Sequence, residues 1–344
     1  MQSSFRLGAF LLFFCLGLPF ASATVKDDKK LTIGFSVYTQ LQPRWLFDVE
    51  AFVAQAKKNG DTVVVQYADG DASKQSQQVK AMINSKVDVL VIASADIVVG
   101  AGLIELARKD GIKTIAYDIS VKDAAPDLMI GRNQSQVGTL QVEAALKEKP
   151  VGNYAILKGD PSNDLAQVSN HVYAEALSKK HGINVMHNDY VKGFSPVMAN
   201  RIAREILASS NKKIDAFIVN NDGMATGVVQ ALREANMTGK VFVSGLDADE
   251  VNLNLIATGV QTMTVYTPID IMARKAAVAA HELGNGRVPV STRIVQHAKG
   301  PVLIDEVRLV SVTKQSLCYF ISKIAPKGWA NPQAVFKGSD LKCD

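Results

Sequence analysis

The chain has 344 residues, 38 Lys and Arg against 33 Asp and Glu, and a net charge of +5. That length suits two domains, and a charged content of 21% with 47% apolar residues is that of a soluble globular chain rather than a disordered one. The basic residues come in short pairs such as Lys179-Lys180 and Lys212-Lys213, never in blocks, so nothing calls for nucleic acid.

At the N-terminus Arg6 precedes an uncharged apolar stretch over 7–20, followed by Ala21-Ser22-Ala23. This reads as a cleavable secretory signal peptide over 1–23, because about fourteen apolar residues fall short of the roughly 20 that span a bilayer. Cys15 lies inside that stretch without the small residues a lipoprotein signal places before its cysteine. Export leaves Cys318 and Cys343, an even pair expected to form a disulfide closing the C-terminal tail.

A first strand is expected over 31–37, then the polar loop 38–44 with Tyr38 and Gln40, then a helix over 45–58 stopped by Asn59-Gly60. A strand over 62–67 follows. Asp69-Gly70-Asp71 lacks the remaining positions of a calcium loop and reads as a turn and helix cap. The next segment is one of two that repeat each other. Lys86 to Asp118 and Lys213 to Asp247 each contain an apolar run, a helix of period 3.6, a Gly and a second apolar run ending on a carboxylate. Between them come a short strand over 128–130, Gly131-Arg132-Asn133, a helix over 136–147 and a strand over 153–157. A polar loop over 158–164, a further helix, a strand over 184–186 and a stretch centred on Phe194 complete the interval. A long helix over 269–283 is expected to return to the first domain, and the tail to supply a short strand and a polar finish containing Trp329.

Strands apolar on both faces belong to parallel sheets covered by helices. The expected fold is therefore α/β, two similar doubly wound parallel-sheet domains joined by hinge crossings. The first domain would take 30–137 and about 269–300, the second 138–268 and about 301–344. Ligands in such sheets bind beyond the carboxyl ends of the strands, which is where Asp118, Asn221, Asp222 and Asp247 fall, although a strand-end Asp or Asn also serves as a helix cap.

Catalytic and metal patterns are missing from the sequence. His171, His181, His187, His281 and His297 are scattered, no nucleophile elbow surrounds Ser195, and neither a P-loop nor a dinucleotide fingerprint follows a strand. No enzyme, metal or cofactor is expected.

Several stretches resemble one family. They are Pro43-Arg44-Trp45, Met82-Ile83-Asn84, Val87 through Ile92, Ala116-Tyr117-Asp118, Asn221-Asp222, Gly245 through Asp249, Gln261 through Tyr266 and Glu282 through Gly286. From about Lys30 to Pro289 the chain is similar to type I periplasmic binding proteins, and most similar to the D-xylose-binding proteins of bacterial ABC transporters. The resemblance implies a periplasmic, monomeric protein that closes on a pentose, polyol or sugar derivative. It would present the closed form to the membrane permease of an ABC transporter or, alternatively, to a membrane sensor. A secreted enzyme on the same scaffold is a further alternative.

Carried over by position, the resemblance implies ligand contacts at Arg44, Trp45, Asp118, Asn133, Asp164, Phe194, Asn221, Asp247 and Thr267, with Tyr38, Gln40 and Arg132 as additional candidates. Core packing is the alternative for Trp45, and a surface ion pair for Arg44. Departures from the family pattern are Ile119 in place of Arg, Gly131-Arg132-Asn133 in place of Phe-Asp-Asn, Asp164-Leu165 in place of Asn-Asn, Phe194 in place of Trp and Thr267 in place of Lys. These changes remove cations and an amide, so the ligand need not be xylose. Arg132 could restore a charge suited to an acidic sugar or lie in solvent.

Overall fold

A computed structural model describes residues 28–121, 123–161, 163–211 and 213–343, and the expected signal peptide lies outside them. The first lobe contains the strands β1 (Thr32–Val37), β2 (Thr62–Tyr67), β3 (Val89–Ile92), β4 (Lys113–Tyr117) and β5 (Leu128–Arg132). The second contains β6 (Gly152–Lys158), β7 (Ile183–Tyr190), β8 (Ala216–Val219), β9 (Phe242–Val243) and β10 (Met263–Tyr266). After these come β11 (Arg293–His297), β12 (Gly300–Val307) and β13 (Val310–Thr313).

The sheets run β11-β12-β5-β4-β3-β1-β2 and β7-β6-β8-β9. Counting strands within each lobe, both begin 2-1-3-4 in parallel, a doubly wound order whose connections reverse direction between the first and third strands. The sequence repeat is thus a repeat of topology.

Helices cover both faces, as the apolar runs demand. Val89 and Val91 face a cluster with α1 (Pro43–Lys58) and α9 (Ile269–Gly284), including Phe52, Met272 and Ala276. Leu90 and Ile92 face α2 (Ala72–Asn84) and α3 (Ile97–Lys109), including Val79 and Ile104. In the second lobe Phe217 and Val219 meet α6 (Pro196–Ser209) and α7 (Asp222–Glu234), while Ala216 and Ile218 meet α4 (Gln134–Glu148) and α5 (Asp164–Ser178). Each such fully buried aliphatic side chain contributes about 1.5–3 kcal/mol over an exposed one.

The end of the chain departs from expectation. Strand β12 pairs with β5 along Leu303 to Val307, so 301–307 extend the first sheet and the last crossing falls after Val307 rather than near 300. Strand β11 pairs antiparallel at that sheet's edge. Apolar residues at Val302, Ile304 and Val307 earn this burial, a pattern that a polar tail would not show. The remaining tail is not a polar finish either. Strand β13 pairs with β10, and Leu317, Phe320 and Val335 form a buried cluster with Leu253, Ile256 and Tyr266 of the second lobe. The Asn254 amide donates to the carbonyls of Ala334, Val335 and Lys337, and the Cys318–Cys343 disulfide closes the segment.

In the first lobe His281 of α9 is clamped between two carboxylates, Nδ1 at 2.9 Å from Asp61 and Nε2 at 3.1 Å from Asp28. Burial pulls the imidazole pKa down, but the two carboxylates outweigh it and leave the value raised.

Two measurements follow from this packing. Replacing Cys343 by Ser should lower unfolding stability by about 3 kcal/mol through the larger entropy of the unfolded chain, and leave ligand affinity almost unchanged, as read by denaturation and titration. Because the folded pKa of His281 is raised, its clamp is fully stabilising below the ordinary imidazole value of about 6.5 and is lost as pH rises through the folded value. Melting temperature should therefore fall as pH climbs from about 6.5, with a component that His281→Gln removes.

Candidate functional site

The loops beyond the strand ends of both lobes enclose a cleft of about 950 Å³. From the first lobe it is lined by Tyr38, Arg44, Trp45, Asp118, Ile119 and Arg132, and from the second by Leu165, Phe194, Asn220, Asn221, Asp247 and Thr267, among others. The reversal of strand order places the ends of β1, β3, β6 and β8 around one opening.

Arg44 begins α1, and its guanidinium reaches two carboxylates. Nε lies 3.3 Å from Asp48, one turn along the helix, and Nη1 lies 2.8 Å from Asp118 at the end of β4. The Tyr117 hydroxyl donates to the other oxygen of Asp48. Arg132 adds a second cation, with Nη2 at 3.5 Å from Asp118 and Nη1 donating to the Thr267 hydroxyl at 3.3 Å. Arg44 is thus a part-buried structural pair rather than a surface one, and Arg132 is paired rather than solvated.

The protonation states follow from this arrangement. Burial pushes Asp118 up, but the Arg132 and Arg44 guanidiniums outweigh it and hold its carboxyl below the usual range. Burial raises Asp48 to about 6 despite Arg44. Asp247 is pushed up to about 7, chiefly by burial and then by the charge of Asp249. Two buried polar atoms on the cleft wall, Arg44 Nη2 and Asp118 Oδ1, have no partner among the described residues. A donor and an acceptor left unpaired on two cleft-lining side chains suit a hydroxylated ligand, since each buried polar group left unpaired costs about 1–3 kcal/mol.

Backbone geometry aims these groups. Asp118 has φ 59° and Asp247 φ 113°, both in the left-handed half that residues with a Cβ avoid. Such outliers persist where surrounding contacts over-determine them, and they cluster at binding sites. For Asp247 the over-determination comes from Asp222. That carboxylate is fully buried and accepts from the Asp249 amide at 3.0 Å and from Gln261 Nε2 at 3.1 Å. A Cβ on Gly245 would fall 1.9 Å from Asp222 Oδ1, so the glycine is required there. Asp222 therefore braces the loop behind the cleft, which corrects its expected place at the opening.

Trp45 satisfies both readings. Only 3% exposed, it packs with the first core and still presents to the cleft, with the Arg44 guanidinium 4.3 Å over its ring and Nε1 donating to Gln42. Phe194, at φ 51°, lies over Gly159, where a Cβ would come within 2.0 Å of its ring. Asn221 caps α7 by accepting from the Met224 amide and also lines the cleft.

Two candidates lie elsewhere. Asn133 caps α4, accepting from the Gln136 amide, and its side-chain amide lies 3.3 Å from Glu306 of β12, because the residue just before the helix is needed as its cap. Gln40 is exposed in the β1–α1 loop and donates its backbone N–H to Asp69. The Asp164 side chain lies outside the described residues.

Other lining residues were not among the sequence candidates. Gln42 and Phe47 flank the Arg44-Trp45 pair, and Asn220 directly precedes Asn221. Asp48 was legible as the i,i+4 partner of Arg44. Trp329 gave no local signal. It comes from the tail, donates from Nε1 to the Ala248 carbonyl at 2.9 Å, and meets Phe47 of the opposite lobe at 5.3 Å between ring centroids.

Among the described residues three crossings join the lobes, at 132–134, 266–269 and 307–310. The Arg132–Thr267 bond ties the first to the second, and Gln136 accepting from the Leu309 amide ties the first to the third.

Comparison with known proteins agrees with this architecture. The family described as periplasmic binding protein domain matches residues 33–287. The D-xylose-binding periplasmic protein of Escherichia coli K12 is 37% identical over 282 residues, covering 81% of this chain and 85% of that protein. Its namesake in Haemophilus influenzae is 37% identical over 260 residues, covering 75% and 78%. Among solved structures, an ABC transporter solute binding protein from Bacillus halodurans with bound myo-inositol superposes with a TM-score of 0.71 at 21% identity, over 86% of this chain and 98% of that one. With its family model, its relatives and its doubly repeated sheet in agreement, the chain belongs to the periplasmic binding proteins, as a member of type I fold.

Proposed function

We propose that this protein is exported to the periplasm, closes its two lobes over a small sugar or sugar-like polar ligand, and hands that ligand unchanged to the membrane permease of an ABC importer. The carrying observation is the interlobe cleft in which Arg44 Nη2 and Asp118 Oδ1 stand buried and unpartnered beside the Trp45 ring. A guanidinium and a carboxylate bind vicinal hydroxyls in both donor and acceptor senses, and an indole covers an apolar sugar face. Three linked crossings permit a bending motion that brings Asn221 and Asp247 onto a ligand seated against the first lobe.

Xylose itself does not follow from the relatives. Ile119, Leu165 and Phe194 give the cleft an apolar flank where the family pattern has hydrogen-bonding groups, and Thr267 serves Arg132 instead of presenting a cation. A site lacking partners for a hydroxyl discriminates against a ligand that carries one there.

Thermal unfolding against pentoses, hexoses, polyols and sugar acids tests the reading. A ligand at a hundred times its dissociation constant should stabilise the protein by about 2.7 kcal/mol and raise the melting temperature by several degrees. No shift with any of them would remove the sugar reading. Two variants should part company in the same assay. Asp247→Ala should lose about 2–5 kcal/mol of binding with a nearly unchanged melting temperature, because among the described residues no side chain is hydrogen-bonded to that carboxylate or within ion-pair distance of it. Arg44→Ala should lose binding and about 3 kcal/mol of stability as well, because Asp48 would be left buried without a cation and Asp118 with Arg132 alone.

A further inference from the structure

Trp329 lines the cleft but has no part in the ligand contacts proposed above, and it touches both lobes. Its ring stands 5.3 Å from that of Phe47 on α1 and 5.4 Å, edge to face, from that of Tyr266 at the end of β10. Tyr266 in turn meets Phe320 at 5.0 Å. A file of aromatic rings therefore runs from the first lobe through the tail to the second, beside the crossing at 266–269.

The tail is a fixed part of the second lobe. Leu317, Phe320 and Val335 are buried against Leu253 and Ile256 of α8 (Glu250–Ala257). Trp329 Nε1 donates to the Ala248 carbonyl at 2.9 Å, and the Asn331 amide donates to Glu250 at 2.6 Å. Ala248 has φ 58° and follows Asp247 at 113°, so the indole supports a loop whose backbone is strained at two successive residues. Phe47 and Trp329 are both only half-buried, which leaves each ring to cover part of the other. Bending the lobes apart would part the rings and wet both faces, so the contact favours the arrangement seen here over a more open one.

We propose that Trp329 is a positioning residue for ligand capture. With Phe47 it latches the two lobes, and through Ala248 it holds the Asp247 loop at the cleft. Its effect on binding rests on the cleft being the ligand site, but the latch itself does not.

Two measurements test this. Trp45 and Trp329 are the two tryptophans of the chain, so Trp45→Phe leaves Trp329 as the single indole. In that background, with no sugar present, acrylamide quenching should rise about twofold when Phe47→Ala is added. Unchanged quenching would overturn the latch. The second measurement keeps Trp45 and follows binding kinetics of D-xylose and myo-inositol. Phe47→Ala and Trp329→Ala should each speed dissociation about threefold to tenfold, the size of one aromatic pair, with association within about twofold. The double variant should match Trp329→Ala, since one contact is broken only once, and Trp329→Phe should recover most of the effect. Phe47 lies in the other lobe, so a disturbed tail cannot account for its share. Faster dissociation in Trp329→Ala with Phe47→Ala like the unaltered chain would overturn the latch and reduce Trp329 to a prop of its own lobe. Should neither compound bind, the quenching result alone decides the latch, and the sugar reading is judged separately by the unfolding panel.

Discussion

The pairing of Arg44 with Asp118 is the constraint around which the first lobe's wall of the cleft is built. It joins the first turn of α1 to the end of β4 across 74 residues of chain, and it does so with a side chain only 18% exposed. Charges that far from water must be matched, and three further groups do so. Asp48 takes the second face of the guanidinium, Tyr117 donates to Asp48, and Arg132 supports Asp118 from β5. Because those partners come from α1, β4 and β5, the wall they form is as rigid as the sheet beneath it.

The second lobe solves the same problem differently. There the open carboxylate is Asp247, and the buried partner that holds its loop is Asp222, with Gln261 and the Asp249 amide as donors. A second brace lies beneath the neighbouring strand ends, where Gln141 Nε2 lies within 3.3 Å of the carbonyls of Val219, Asn220 and Gly245 and its oxygen accepts from the Tyr173 hydroxyl. The tail contributes at the rim, where Trp329 and Phe47 meet from opposite lobes and the disulfide-closed segment behind Trp329 holds it to the second.

Much of the site was readable along the chain because a parallel sheet puts its strand ends in one place. Asp118, Asn221 and Asp247 were found simply as polar residues terminating apolar runs, and all three line the cleft. The same rule also nominated Asp222, wrongly, since a strand-end carboxylate can turn either towards the opening or into the loop behind it. One residue of rotation separates the two, and no sequence pattern encodes it. Asn133 failed for a related reason, as the start of α4 needed its side chain as a cap.

The sequence by itself determined the two doubly wound sheets, the order of their elements and the return of the long helix, because periodicity and burial on both strand faces are local properties, and it favoured pairing Cys318 with Cys343 only once the expected signal peptide with Cys15 is set aside. Tertiary structure alone decided which charges neutralise which, that β12 extends the first sheet, and that Trp329 reaches the cleft from a tail more than 280 residues beyond Phe47 in chain order, since 329 less 47 is 282. Those outcomes depend on which surfaces meet once both lobes are packed. Hydrophobic patterning states that a residue must be covered, and only the assembled fold states by what.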